Sequence, residues 1–112
     1  MPDENYYQRD DLTRFSEIRK NRPELAEKFF EYYGAVMGDG VLSAREKSLM
    51  ALAVAQAIQC PYCIDAYTRR ALENGADLEQ MTEASHVATA VKSGATLVHG
   101  MQMRTRHDQL SM

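Results

Sequence analysis

Apolar residues in this chain recur at intervals of three and four, and its β-branched residues never alternate with polar ones. That period belongs to helices and excludes half-buried strands. Asp10 to Lys20 reads as a short amphipathic segment carrying Leu12, Phe15 and Ile18. Pro23 opens a second helix, where a missing N–H costs nothing. Along it Leu25, Phe29, Tyr32, Tyr33 and Val36 form one apolar face, and Gly38-Asp39-Gly40 ends it. Ser43 and Glu46 have the spacing of a capping box and predict a third helix running to about Ile58.

From Leu49 to Ala55 this third helix is apolar on every side, so it needs cover all round. A chain of 112 residues has few elements with which to provide it, and a homo-oligomer is expected. Pro61 restarts a fourth helix that ends near Asn74-Gly75. Asp77 and Gln80 form a weaker capping pattern and open a fifth helix with Met81, Ala84, Val87, Ala88 and Val91. A break is expected near Ser93-Gly94, followed by a last helix with Leu97, Val98 and Met101. The expected fold is all-α, one multi-helix domain spanning residues 1–112.

Composition adds exclusions. The net charge is −3, with Lys and Arg scattered rather than clustered. That argues against nucleic acid or an anionic membrane surface as partner. No apolar run is long enough to span a bilayer. Residues 1–5 lack the basic and apolar regions of a signal peptide. A cytoplasmic protein is expected, and there cysteines stay reduced unless they have redox or metal work to do.

The only two cysteines stand three apart in Cys60-Pro61-Tyr62-Cys63. With Pro61 as the first helical residue, Cys60 is the N-cap. Its sulfur then faces unsatisfied backbone N–H groups and the positive end of the helix dipole, which favour a thiolate. Cβ atoms at i and i+3 are about 5–6 Å apart, close enough to reach disulfide geometry with a modest adjustment. The pair is therefore redox-capable. Two buried neighbours is the plainer alternative. A zinc site would need two more ligands, and the wide spacing of His86 and His99 does not match the short His arm of common sites. No metal and no cofactor is expected.

The stretch EKSLMALAVAQAIQCPYCIDAYTRRALENGAD resembles the core of the carboxymuconolactone decarboxylase / alkylhydroperoxidase D-like family. The resemblance covers residues 43–100, with residues 1–42 as an N-terminal helical extension. NYYQRDDLTRFSEI, PELAEKFFEYYGAV, CPYCIDAYT and LVHGMQM are similar to a narrower group, the bacterial peroxidase-like proteins associated with arsenosugar biosynthesis. The resemblance implies an all-helical trimer or hexamer with peroxidase-like (peroxiredoxin) activity on a small peroxide or a partner's disulfide. In alkylhydroperoxidase D the pattern is Glu-x(11)-Cys-x-x-Cys-x(3)-His. It makes Cys63 the attacking cysteine and Cys60 the resolving one, whereas the helix argument makes Cys60 the more acidic.

Both proton-relay positions depart from that pattern. Ser48 stands in place of the glutamate and Tyr67 in place of the histidine. Tyrosine is a poor general base, with an ordinary pKa of about 10, yet it can hydrogen-bond a thiol or thiolate. Glu46, two residues from the family position, reads as the capping acid. His86 and His99 lie on apolar helical faces and read as core or interface histidines. His86 is the candidate replacement base, on the expectation that the fifth helix packs beside the cysteine helix. Two other classes of function stay open: a vicinal-thiol module holding arsenite or another soft ion, and a cysteine-independent decarboxylase. For the soft-ion reading, Met101, Met103 and Met112 form a Met-rich tail, in which Met101 reads as core packing rather than a ligand and Met112 as a frayed end.

Overall fold

A computed structural model describes residues 7–112, so the stretch read for a signal peptide lies outside the described residues. Five α-helices follow in order: α1 (Arg9–Thr13), α2 (Pro23–Met37), α3 (Ala44–Ala57), α4 (Pro61–Glu73) and α5 (Leu78–Leu110). A 3₁₀ segment, Phe15–Lys20, lies between α1 and α2. No strand occurs among the described residues, and the fold is all-α. The expected segment from Asp10 to Lys20 is thus two pieces, divided at Arg14.

The helix starts are set by local chemistry. Glu46 N–H donates to Ser43 Oγ and Ser43 N–H donates to Glu46 Oε1, both at 3.1 Å. These bonds hold the Glu46 carboxyl below the usual carboxylate range. Asp77 and Gln80 make the same reciprocal pair at 2.8 and 3.0 Å, a full capping box. Gly75, at φ +86°, ends α4 in the left-handed conformation that favours glycine.

α3 is the central element, with α4 on one side and α5 on another. The shared core holds Leu52, Ala71, Ala76 and Met81, with Leu49 and Tyr67 packed against it. α2 lies mainly against the 3₁₀ segment and touches α3 lightly. Lys47 Nζ fastens the two helices by donating to the carbonyls of Val36 and Gly38, each at 2.6 Å. A cation there complements the negative end of α2.

The predicted break at Ser93-Gly94 does not occur: α5 is one helix of 33 residues. A single interior glycine costs about 1 kcal/mol relative to alanine, too little to stop a helix without a proline or a cap. At 1.5 Å per residue α5 is about 50 Å long, which accounts for most of the 58 Å long axis of the molecule. No helix among the described residues is long and apolar enough to cross a membrane.

Cover of the apolar positions within one chain is partial. Leu52 and Ala55 of α3 are buried, whereas Met50, Val54 and Ile58 are exposed. On α2 the predicted face is exposed at Leu25, Phe29, Tyr32 and Val36, and only Tyr33 is half-buried. Every residue of α5 from Val91 to His99 and from Met101 to its end is exposed.

Candidate functional site

The turn between α3 and α4 places the cysteines. Gln59 N–H donates to the Gln56 carbonyl at 3.1 Å, and Cys60 N–H to the Ala55 carbonyl at 3.0 Å. These are the paired bonds of a Schellman motif, in which the residue after the cap is left-handed. Gln59 takes that role at φ +59°, a conformation that costs a non-glycine residue about 1–2 kcal/mol. The turn brings the chain straight from the end of α3 to the N-cap of α4, which is Cys60.

Cys60 Sγ accepts a hydrogen bond from Cys63 N–H at 3.3 Å, and the two sulfurs are 2.8 Å apart. Both are free thiols and half-buried. A disulfide needs about 2.05 Å between sulfurs, so a movement below 1 Å closes the bond. The hydrogen bond from Cys63, and those from the backbone of Cys63 and Tyr62, lower the Cys60 pKa against the opposing effect of burial. Burial, with the hydrogen bond to Cys60 and its charge, pushes Cys63 up to about 11. Electrostatics therefore makes Cys60 the more acidic of the two thiols, in line with the N-cap argument.

Two recesses meet at this pair. One, of about 580 Å³, is bounded by Asp11, Leu12, Phe15, Cys60, Tyr62 and Cys63. Tyr62 ties the N-terminal segment over it: its hydroxyl donates to Asp11 Oδ2 at 3.1 Å and accepts from Gln8 N–H at 2.9 Å. The second, of about 480 Å³, is apolar and lies between α2, α3 and α4, with Met37, Met50, Val54, Ile58, Cys63 and Tyr67 among its walls. Among the described residues, Cys63 alone lines both.

Tyr67 thus stands beside Cys63 in the apolar recess. Its hydroxyl is 2.6 Å from that of Tyr33 on α2. Burial, then Tyr33, raise its pKa above the ordinary phenol value, and the positive charge of Arg70 opposes them. Arg70 Nη1 donates to Tyr33 Oη at 3.4 Å, with the guanidinium 5.7 Å from the Tyr33 ring centre. Sequence reasoning placed Tyr33 on an apolar face and gave Arg70 no role. No local signal joins positions 34 residues apart.

The remaining candidates lie elsewhere. Ser48 is fully buried; its hydroxyl donates to the Ala44 carbonyl and accepts from Asn74 Nδ2, each at 2.8 Å. It joins the start of α3 to the end of α4, the end of this hairpin opposite the cysteines. The expectation that the fifth helix packs beside the cysteine helix is not met, because α5 packs on α3. His86 is exposed and lines a shallow recess with Leu78, Glu79, Thr82 and Glu83. His99 is exposed as well, with Nδ1 2.7 Å from Gln102 Oε1. Met101, Met103 and Met112 are exposed, the first two on the far half of α5, so the packing read for Met101 is not found within the chain. Among the described residues no three His, Cys, Asp or Glu side chains cluster as a metal site.

Comparison with known proteins places these features in a wider group. The family model described as the carboxymuconolactone decarboxylase family matches residues 23–103. Uncharacterized protein 4 in the cox locus of Paracoccus denitrificans is 40% identical over 75 residues, spanning 67% of this chain and 68% of that protein. A crystal structure of a Methanobacterium thermoautotrophicum protein aligns with a TM-score of 0.72 at 30% identity, over 77% of this chain and 97% of that one. The apo structure of a carboxymuconolactone decarboxylase family protein from Legionella pneumophila aligns with a TM-score of 0.69 at 32% identity, over 80% of each chain. The matched region begins at Pro23, which leaves Asp11, Leu12 and Phe15 outside it.

Proposed function

The chain belongs to the carboxymuconolactone decarboxylase family, and on that premise we propose that it is a thiol oxidoreductase that reduces hydroperoxides. Cys60 and Cys63 cycle between dithiol and disulfide. The observation that carries this reading is a pair of free sulfurs 2.8 Å apart at a helix N-cap, with Cys60 the more acidic of the two.

The chemistry follows from that asymmetry. The Cys60 thiolate accepts the Cys63 proton, and the Cys63 thiolate attacks the terminal peroxide oxygen. The O–O bond breaks, Cys63 becomes a sulfenic acid, and the other oxygen takes a proton and leaves as an alcohol or water. Cys60 then attacks the Cys63 sulfur and water departs with the sulfenic oxygen. An external dithiol returns two electrons and two protons to the disulfide. Assignment of the attack to Cys63 is supported by its place in both recesses, whereas Cys60 lines only the N-terminal one. The apolar walls around Cys63 suit an organic hydroperoxide.

A cyclic dione trap for sulfenic acid tests the order of events. After addition of cumene hydroperoxide, the Cys60→Ser variant should accumulate trapped adduct at Cys63, and the Cys63→Ser variant should accumulate none. Adduct on Cys60 alone would reverse the roles. We further propose that the protein works as a homo-oligomer, since Val54 on α3, Ile58 at its C-cap, and Val91, Leu97 and Val98 on α5 are all more than half exposed in the single chain.

The same adjacent free thiols favour a second reading, a soft-ion site for trivalent arsenic, which would also give meaning to a link with arsenosugar metabolism. Thiolates are soft ligands. Tight one-to-one arsenite binding by a protein that no hydroperoxide oxidises would select it. Decarboxylation independent of cysteine would be revived by full activity of a Cys60/Cys63 double serine variant.

A further inference from the structure

We propose that Tyr67 donates a proton to the oxygen expelled when Cys63 attacks a hydroperoxide, and that Tyr33 and Arg70 are positioning residues for that donor. The proposal rests on the thiol-oxidation reading and supplies the relay for which the family's glutamate and histidine are missing.

Three observations support it. Tyr67 lies one helical turn after Cys63, and both side chains line the same apolar recess, the space open to a peroxide bound at Cys63. The Tyr67 hydroxyl is fixed by Tyr33 at 2.6 Å, a contact that reaches across from α2 and sets the direction of the ring. Arg70 makes no ion pair with a carboxylate among the described residues and instead directs its guanidinium at Tyr33.

Arginine is a donor only, so the Tyr33 oxygen accepts from Arg70. A hydroxyl that accepts a hydrogen bond becomes a better donor through mutual polarisation. As the leaving oxygen gains charge, the Tyr67 proton turns to it, and the Tyr33 hydroxyl, polarised by Arg70, donates to the Tyr67 oxygen in its place. The fixed positive charge also stabilises the phenolate that forms as the proton leaves. Burial keeps Tyr67 protonated until a strong base appears, and an alkoxide is a stronger base than a phenolate. The Cys63 sulfur gains the terminal oxygen, the O–O bond supplies its electron pair to the leaving oxygen, and Tyr67 supplies the proton. Tyr67 is then reprotonated from solvent.

A change of leaving group separates proton donation from mere packing. Disulfide formation would be followed by stopped flow in wild type, Tyr67→Phe, Tyr33→Phe and Arg70→Gln, with cumene hydroperoxide and with peracetic acid. Expulsion of an alkoxide needs a proton, whereas a carboxylate leaves without one. With cumene hydroperoxide, Tyr67→Phe should be slowed about a hundredfold, the lower end for general acid catalysis. Tyr33→Phe and Arg70→Gln should each be slowed roughly three- to tenfold, the size of one hydrogen bond. With peracetic acid all three should match wild type within a factor of about two, since no proton transfer is being asked for. Tyr33→Phe keeps the ring, and Arg70→Gln provides a second variant if the first does not fold. Equal slowing with both oxidants, or none with either, overturns this proposal alone. A wild-type protein that neither oxidant converts to the disulfide overturns the thiol-oxidation reading as well.

Discussion

Replacing Cys60 with alanine should make the Cys63 thiol easier to ionise, by an amount set by what now holds its proton. Burial is the largest cause of the rise from 9.0 to about 11, followed by the hydrogen bond to Cys60 and the Cys60 charge. Two units amount to about a hundredfold less thiolate at pH 8 and below, since each unit is a factor of ten. The variant loses the second and third causes and keeps the first, so its midpoint should fall below 11 and remain above 9.0. A less basic thiolate is also a weaker nucleophile, with a Brønsted slope of about 0.4–0.5. Even a full return to 9.0 would thus raise the alkylation rate near pH 8 by only about tenfold. The assay is single-hit labelling with iodoacetamide from pH 7 to 11, read by peptide mass spectrometry. In wild type, Cys60 should label first with a midpoint below the ordinary 9.0, and Cys63 should rise only toward pH 11. A wild-type Cys63 midpoint at or below 9.0, or an unchanged midpoint in Cys60→Ala, would refute the reasoning.

Further outcomes follow from other parts of the fold. Ser48→Ala strips Asn74 Nδ2 of its partner at a fully buried position and should lower stability by about 1 kcal/mol in urea unfolding. Ser48→Glu, which installs the glutamate of the alkylhydroperoxidase D pattern, should destabilise more, because it forces a carboxylate into that buried place. A Ser48→Glu chain as stable as wild type would contradict the packing described. Gly94→Ala should raise stability by about 1 kcal/mol, since nothing lies within 4 Å of the added methyl; a loss would place a second chain there or break α5. Tyr62→Phe removes the hydroxyl that ties down Asp11 and Gln8 and should speed proteolytic cleavage before Pro23, with the rest of the chain unaffected.

What could be read from the sequence was local. Pro23, Pro61 and the two capping boxes act within one turn, so their helix starts were legible from spacing alone. The N-cap position of Cys60 followed from Pro61 and needed no tertiary contact. The break expected at Ser93-Gly94 failed because one glycine disfavours a helix by less than its neighbours favour it. The family and its all-α fold were legible from the CPYC core. The position of His86 was not, because it depends on which face of α3 receives α5. The contact between Tyr33 and Tyr67 was hidden for a similar reason: it depends on how α2 lies across the hairpin, which periodicity within one helix does not encode. Cover from other subunits was expected for α3, and the single chain leaves Met50 and Val54 of that helix exposed, together with apolar residues of α2 and α5.

The central claim is that Cys60 and Cys63 form a working dithiol. Intact mass spectrometry of the reduced protein, before and after one equivalent of hydroperoxide, measures it most directly. The account predicts the loss of one hydrogen pair, reversed by dithiothreitol and absent in both single serine variants. A wild-type mass that stays unchanged, or that gains oxygen without losing hydrogen, would contradict it.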